Sequence, residues 1–276
     1  MAAPPQGDAL WIWSVDRAGW PDAARIMRRE GFSTAFLSIP PTDRAALEGR
    51  PAALDDALAP FAERGITVLL AGGDPAWVLS EATKLPPPLV GLVRLAAGSS
   101  RVAGVQLDVE PYTLPLWRSG PEGRARIAAG LMDLLDAARA GLAREGKALG
   151  TILHPAFANA ALSERHGAGT MADGAVRRAD RLVVMAYRNT PDGVGTFARR
   201  LLPAIDAAPR PWHLGVTVRG GQSEPFVSYH GLGIARLRAD MNTLRTMALA
   251  RPSGTWYLGA AVHAYTALLP MLDAAR

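Results

Sequence analysis

Two carboxylates set two residues apart at the end of an apolar stretch are the strongest chemical feature of this chain. The stretch reads Gly104-Val105-Gln106-Leu107-Asp108-Val109-Glu110-Pro111-Tyr112. In an extended strand Gln106, Asp108 and Glu110 share one face, and Val105, Leu107 and Val109 share the other. If the apolar row packs on helices, the polar row lines an interior, and the acids stand at its C-terminal end, where proline stops the strand. Their Cα atoms are then about 6–7 Å apart, so each charge raises the other's affinity for a proton. Such a pair can keep one carboxyl protonated near neutral pH as a general acid. Hard metal ions want more carboxylates than two, and the chain has no H-x-x-x-H spacing, so no metal is expected.

A pair of this kind needs a frame. Besides this stretch, strand patterns fall at 9–15, 34–39, 66–71, 148–154, 181–187, 212–218 and 256–263. Helical patterns alternate with them at 21–30, 54–64, 77–97 (interrupted by Pro86-Pro87-Pro88), 121–144, 169–179, 193–207 and 234–250, with a short one closing the chain. Eight strand-and-helix units predict a single-domain (β/α)8 TIM barrel over residues 9–276 behind a tail at 1–8, a typical size for that fold. An open doubly wound sheet is the alternative. It fits less well, because no G-x-G-x-x-G or G-x-x-x-x-G-K-[ST] opens a helix, and Gly72-Gly73-Asp74-Pro75 is too short and acidic to cradle phosphates. No cofactor is expected.

A closed barrel gathers its strand ends at one mouth. Those ends carry Trp13, Asp16, Ser38, Asp74, His154, Tyr187, Arg188, Arg219, His263 and Tyr265 in addition to the acid pair. Sugar rings present apolar C–H faces and polar rims, which aromatic rings stack against and charged groups hydrogen-bond. The expected substrate-binding set is therefore Trp13, Asp74, Tyr112, His154, Arg188, Arg219, Glu224, His263 and Tyr265. Trp117 is a further ring in reach, and Glu224, in the loop after the seventh strand, is a candidate second carboxylate.

Composition narrows the alternatives. Of 276 residues, 49% are hydrophobic and 20% charged, which is ordinary for a globular protein, and no apolar run is long enough to cross a bilayer. The net charge of +5 comes from scattered arginines with no basic stripe among aromatics, so no nucleic-acid partner is expected. Cysteine is absent, which removes thiolate chemistry. The first residues lack the basic and apolar regions of a secretory signal. That fits a soluble protein, or a mature periplasmic or secreted form, equally well. Oligomeric state is not legible.

Gln106-Leu107-Asp108-Val109-Glu110 resembles the end of the D-x-x-D-x-D-x-E signature of family 18 glycoside hydrolases, and Met185-Ala186-Tyr187 resembles their sixth-strand M-x-Y. The resemblance implies a barrel hydrolase in which Glu110 protonates the glycosidic oxygen, Asp108 orients the substrate's acetamido group and Tyr187 assists. The chain departs from the pattern at Ala103 and Gln106, which stand for its first two aspartates. It departs again at Arg188, where an aspartate is common, and at His263, where the eighth strand usually offers tryptophan. An LDVEP-type strand with a last strand ending in histidine and an aromatic also resembles bacterial barrel proteins related to glycoside hydrolases. The expectation is a glycoside hydrolase acting on a poly- or oligosaccharide. A non-catalytic carbohydrate-binding barrel and a barrel amidase or deacetylase are the alternatives.

Overall fold

The computed structural model describes residues 6–80, 84–208, 210–221 and 224–275. Eight parallel strands close on themselves in sequence order: β1 (Asp8–Ile12), β2 (Phe32–Leu37), β3 (Thr67–Gly72), β4 (Val102–Leu107), β5 (Ala148–Leu153), β6 (Arg181–Met185), β7 (Trp212–Thr217) and β8 (Tyr257–His263). The protein is a (β/α)8 barrel. β1 opens at Asp8, one residue inside the expected tail, and the Gly7 amide already donates to the Leu258 carbonyl. Several strands end earlier than the hydrophobic pattern suggests. β4 stops at Leu107, although the Asp108 amide still donates to the Gly72 carbonyl. Both acids therefore stand on the rim just past the ladder.

The helices are α1 (Trp20–Glu30), α2 (Pro41–Leu47), α3 (Pro51–Ala62), α4 (Pro87–Gly98), α5 (Pro115–Arg118), α6 (Pro121–Ala143), α7 (Met171–Arg178), α8 (Pro191–Ala198), α9 (Leu202–Asp206), α10 (Ile234–Leu249) and α11 (Tyr265–Asp273). Most start with proline in the first turn, where its missing amide costs nothing and its fixed φ suits a helix. Gly31 ends α1 in the left-handed conformation (φ 83°) that glycine takes without strain. Two expectations need correction. The pattern at 193–207 is two helices, α8 and α9, because Pro203 opens a new helix and cannot continue the first. The pattern at 77–97 is a 3₁₀ turn (Pro75–Leu79) and α4, since the proline run starts α4 and does not merely interrupt a helix; residues 81–83 lie outside the described ones.

The strands are buried almost throughout, as a sheet covered by helices outside and packed side chains inside requires. Inside, Trp11 of β1 meets Phe36 of β2 at 4.6 Å between centroids, and Phe36 meets His213 of β7 at 5.9 Å. The barrel is therefore filled below its mouth. Gly73 matters for the site, because a Cβ there would come within 1.9 Å of the Asp108 carbonyl oxygen. Only glycine lets the β3 exit lie against the residue that carries the first acid.

Candidate active site

Gln106, fully buried, points into the barrel: a Cβ on Gly150 of β5 would come within 2.1 Å of its Oε1. Neither atom of its amide has a hydrogen-bond partner among the described residues, and the same holds for Oδ1 of Asp108. Together these groups form a polar shaft under the mouth. Burial and, second, the charge of Glu110 push the Asp108 carboxyl up to about 7. The proton that the spacing assigns to the pair is thus held at Asp108, the deeper acid.

Glu110 lies beyond the strand at φ −108°, ψ 62°, half-buried, and its Oε2 accepts a 2.6 Å hydrogen bond from the Tyr112 hydroxyl. Burial and this carboxylate keep the Tyr112 phenol protonated far above its ordinary range, so it is a donor at every working pH. The Tyr112 ring in turn stacks on His154 at 3.8 Å. Nδ1 of His154 accepts from the Ala156 amide at 3.1 Å, which puts any single proton on Nε2. Burial and the neighbouring Arg188 lower the His154 pKa to about 4, so the ring is neutral. A second stack lies within electrostatic reach of this one. Tyr187, just past β6, lies 5.8 Å from His263 with the rings 12° from parallel. Burial, then the charges of Asp108 and Glu110, raise the Tyr187 phenol, while Arg219 opposes them; the hydroxyl thus lies in the field of both acids. His263 is held neutral with a pKa of about 4 by burial and Arg219. It also meets Trp13 edge-on at 6.5 Å, and Trp13 stacks on Trp11 at 5.4 Å. Nε1 of Trp13 is buried without a partner.

Asp108, Glu110, Tyr112, His154, Tyr187, Arg219, His263 and Trp13 thus form one connected group. Arg188 adjoins it: its Nη1 donates to the Tyr187 carbonyl at 2.7 Å and its guanidinium lies 3.8 Å over the Phe197 ring. Three of the expected residues stand elsewhere. Asp74 is exposed and caps the 3₁₀ turn after β3, accepting from the Ala76 amide at 2.7 Å. Tyr265 is turned away from the mouth, only 6% exposed, with Asp22 and Arg25 of α1 as the charges around it. Glu224 is exposed, and its carboxylate makes no hydrogen bond or ion pair among the described residues. The charge acting on Asp108 is that of Glu110.

Phe197, Phe226, Arg199 and Arg200 were not legible as site residues. Phe197 reads as an ordinary apolar position of a helix, and Phe226, 48% exposed, lies in a loop with no pattern. What brings both to the site is Arg188, which lies over the one and 5.1 Å from the other. No three-residue group of histidine, aspartate and glutamate suited to a metal occurs among the described residues.

Comparison of the whole fold with solved structures finds barrels of glycoside hydrolases, one of them of family 18. A GH18 chitinase from Pseudoalteromonas aurantia superposes with a TM-score of 0.57 at 11% identity, covering 96% of this chain and 99% of that one. An endo-beta-N-acetylglucosaminidase from Cordyceps militaris gives 0.55 at 14% identity over 94% of this chain and 81% of its own. That enzyme is also known as a complex with fucosyl-N-acetylglucosamine-Asn in which an aspartate and the glutamate two positions later are changed to amides. The PgaB (BpsB) glycoside hydrolase domain from Bordetella bronchiseptica gives 0.52 at 12% identity, covering 99% and 97%. At these identities the likeness is one of fold. No family model matches the sequence, and no curated protein matches it in sequence.

Proposed function

We propose that this protein is a glycoside hydrolase that cleaves a poly- or oligosaccharide at the C-terminal mouth of its barrel, with Glu110 as general acid, Asp108 as the second carboxylate and Tyr187 as an assisting donor. The observation that carries this reading is the Asp108–Glu110 pair: one acid has an oxygen buried without a partner and a pKa pushed up to about 7, and the other stands at the rim within reach of solvent and a donor. Substrate entering the mouth excludes water and raises the cost of the rim charge. The proton held at Asp108 then serves Glu110, which delivers it to the glycosidic oxygen as the bond to the sugar carbon breaks; in net terms water adds its hydroxyl to that carbon and returns a proton to the carboxylate pair. The pair titrates as a unit. Tyr187, inside the field of both acids, is placed to donate to charge developing on the sugar or on Asp108. The aspartate-x-glutamate spacing altered in the Cordyceps endo-beta-N-acetylglucosaminidase supports the same two positions here.

The second carboxylate is Asp108 in this reading, because it is the acid that feels the charge of Glu110, whereas the Glu224 side chain is exposed. Trp13, Tyr112, His154, Arg188, Arg219 and His263 bind substrate: the rings stack on sugar faces, and the charged and imidazole groups take hydroxyls. The test is release of reducing ends from a broad panel of oligosaccharides, with and without 2-acetamido groups, by the wild type and by Glu110→Gln. Cleavage lost in the variant with the fold intact is the expected result. Saturable binding without cleavage by the wild type would make this a carbohydrate-binding barrel instead, and release of acetate or amine with glycosidic bonds intact would make it a deacetylase or amidase.

A further inference from the structure

A groove of about 610 Å³ runs from His154 along the outer side of α8, lined by Arg188, Phe197, Arg199, Arg200 and Asp192. Its inner end is the stack that supports Glu110, since His154 lies on Tyr112 and Tyr112 bonds the acid. The groove therefore continues the proposed cleavage site toward solvent, as a flanking subsite for a chain-like substrate would.

Its charges are arranged, not scattered. Gly193 and Phe197 stand four residues apart and so share one face of α8. Arg188 starts beside Gly193, since a Cβ there would lie 3.2 Å from the Arg188 Cβ, and reaches along the helix to Phe197. Its guanidinium is held by the Phe197 ring and by the Tyr187 carbonyl, and one N–H bond leaves most of its donors free. Arg199 and Arg200 follow at the C-terminal end of α8, and Arg200 spends one nitrogen on Asn159 Oδ1 at 2.7 Å. Asp192 belongs to the first turn, at the other end of a helix about 12 Å long. None of the three arginines forms an ion pair among the described residues, although ten others do. A helix C-terminus adds its own negative end there, which three cations more than offset.

We infer that this groove binds an acidic sugar unit of the substrate, one bearing a carboxylate or a sulfate ester, so that the protein acts on an anionic glycan. The guanidinium fork matches a planar or tetrahedral oxyanion, and a guanidinium fixed on an aromatic face loses little freedom on binding it. The inference rests on the proposed cleavage site next to it, and the experiment separates the two.

Binding is measured by calorimetry on the full chain carrying Glu110→Gln, with neutral, uronate-containing and O-sulfated oligosaccharides of equal length. At least one acidic set is expected to bind about tenfold tighter than the neutral set, as one or two hydrogen bonds to a charged group give, and to lose that advantage as salt is raised. A uronate preference identifies the carboxylate and a sulfate preference the ester. Adding Arg199→Gln and Arg200→Gln is expected to cut the advantage by about tenfold, while Arg199→Lys and Arg200→Lys retain part of it. Equal binding of acidic and neutral sets, an advantage indifferent to salt, an advantage untouched by the double glutamine substitution in a folded protein, or no binding at all would each overturn the inference. The salt series needs no arginine substitution, so it decides the matter even if those variants fail to fold. Hydrolysis is followed separately in the wild type. Cleavage of neutral chains with no acidic preference would overturn the groove and leave the glycosidase standing. Tight binding of acidic chains without cleavage would do the reverse.

Discussion

Asp8 and Asp108 are both partly buried aspartates whose pKa values burial raises, yet they stand at opposite ends of the barrel among different neighbours. Asp8, at the N-terminal face, accepts from the Ala260 amide at 2.8 Å and pairs with Arg245 at 3.0 Å. These contacts pull against the desolvation that raises it. Close by, His213 bonds the Gly7 carbonyl and is kept neutral, with a pKa of about 3, mainly by burial. Asp108, at the C-terminal face, has an unpartnered oxygen, and its charged neighbour is another carboxylate. Burial alone does not separate a structural acid from a chemical one; the partner does. An acid answered by a cation and an amide fastens the end of a strand. An acid answered by a second acid holds a proton that something else can use. Tyr257, whose buried hydroxyl has no partner, is the exception at the lower face.

Substitutions at the two ends should split activity from stability, and the largest effect belongs to the rim. Glu110→Gln should reduce hydrolysis by roughly 10²- to 10⁴-fold, the range for a general acid. Its melting midpoint should stay close to wild type, because Glu110 is half-buried and its amide can still accept from Tyr112. A full-size loss of stability with residual activity near wild type would make Glu110 a structural anchor.

Asp8→Ala is the converse. Removing a carboxylate that holds a backbone amide and a guanidinium should cost about 2–3 kcal/mol in a denaturant titration, with kcat/KM unchanged in whatever protein remains folded. Equal effects of Asp8→Ala and Glu110→Gln on both readouts would dissolve the distinction between the two ends.

Stability against pH tests Asp108 directly. Its folded pKa of about 7 exceeds the ordinary value of 3.8, so between those limits the folded chain holds a proton that the unfolded chain has released. Stability contributed by this group is therefore full below about pH 4, falls as pH rises toward 7, and is level above it. Asp108→Asn abolishes the dependence. The variant should match wild type at pH 4 and exceed it by ~2 kcal/mol at pH 8, a value set below the full shift because the rim is partly wet. Parallel curves for the two proteins would show that Asp108 titrates normally.

The smallest effect concerns Tyr112. Tyr112→Phe keeps the ring on His154 and deletes the hydroxyl that binds Glu110, so it should lower kcat by about tenfold, one hydrogen bond to a charged group, with little change in KM or melting midpoint. A rise in KM alone would show that the hydroxyl, and not only the ring, serves sugar binding and does not orient the acid.

By itself the sequence determined the closed barrel and the position of the acid pair. Eight apolar runs alternate with helical patterns, and both signals are local: a period of two for a strand, 3.6 for a helix, and glycine or proline where each stops. The same locality explains what it could not determine. Strand ends were overextended at β1 and β6, because hydrophobic residues continue past the last ladder bond onto the rim of the mouth. Glu224 and Tyr265 have suitable chemistry at suitable places in the chain, but the direction in which a loop or helix-start side chain points is a rotation that no spacing of residues fixes. In the fold Tyr265 turns to α1 and Glu224 to solvent. Which acid keeps the proton was likewise decided by tertiary structure. The pairing of Asp108 with Glu110 follows from two residues of separation, whereas the depth of Asp108, its unpartnered oxygen and the Tyr112 hydroxyl on Glu110 arise only when β3, β4 and β5 close around Gln106. Phe197 and Phe226 join the site the same way, because Arg188 crosses from the end of β6 to rings that the chain places 9 and 38 residues further on.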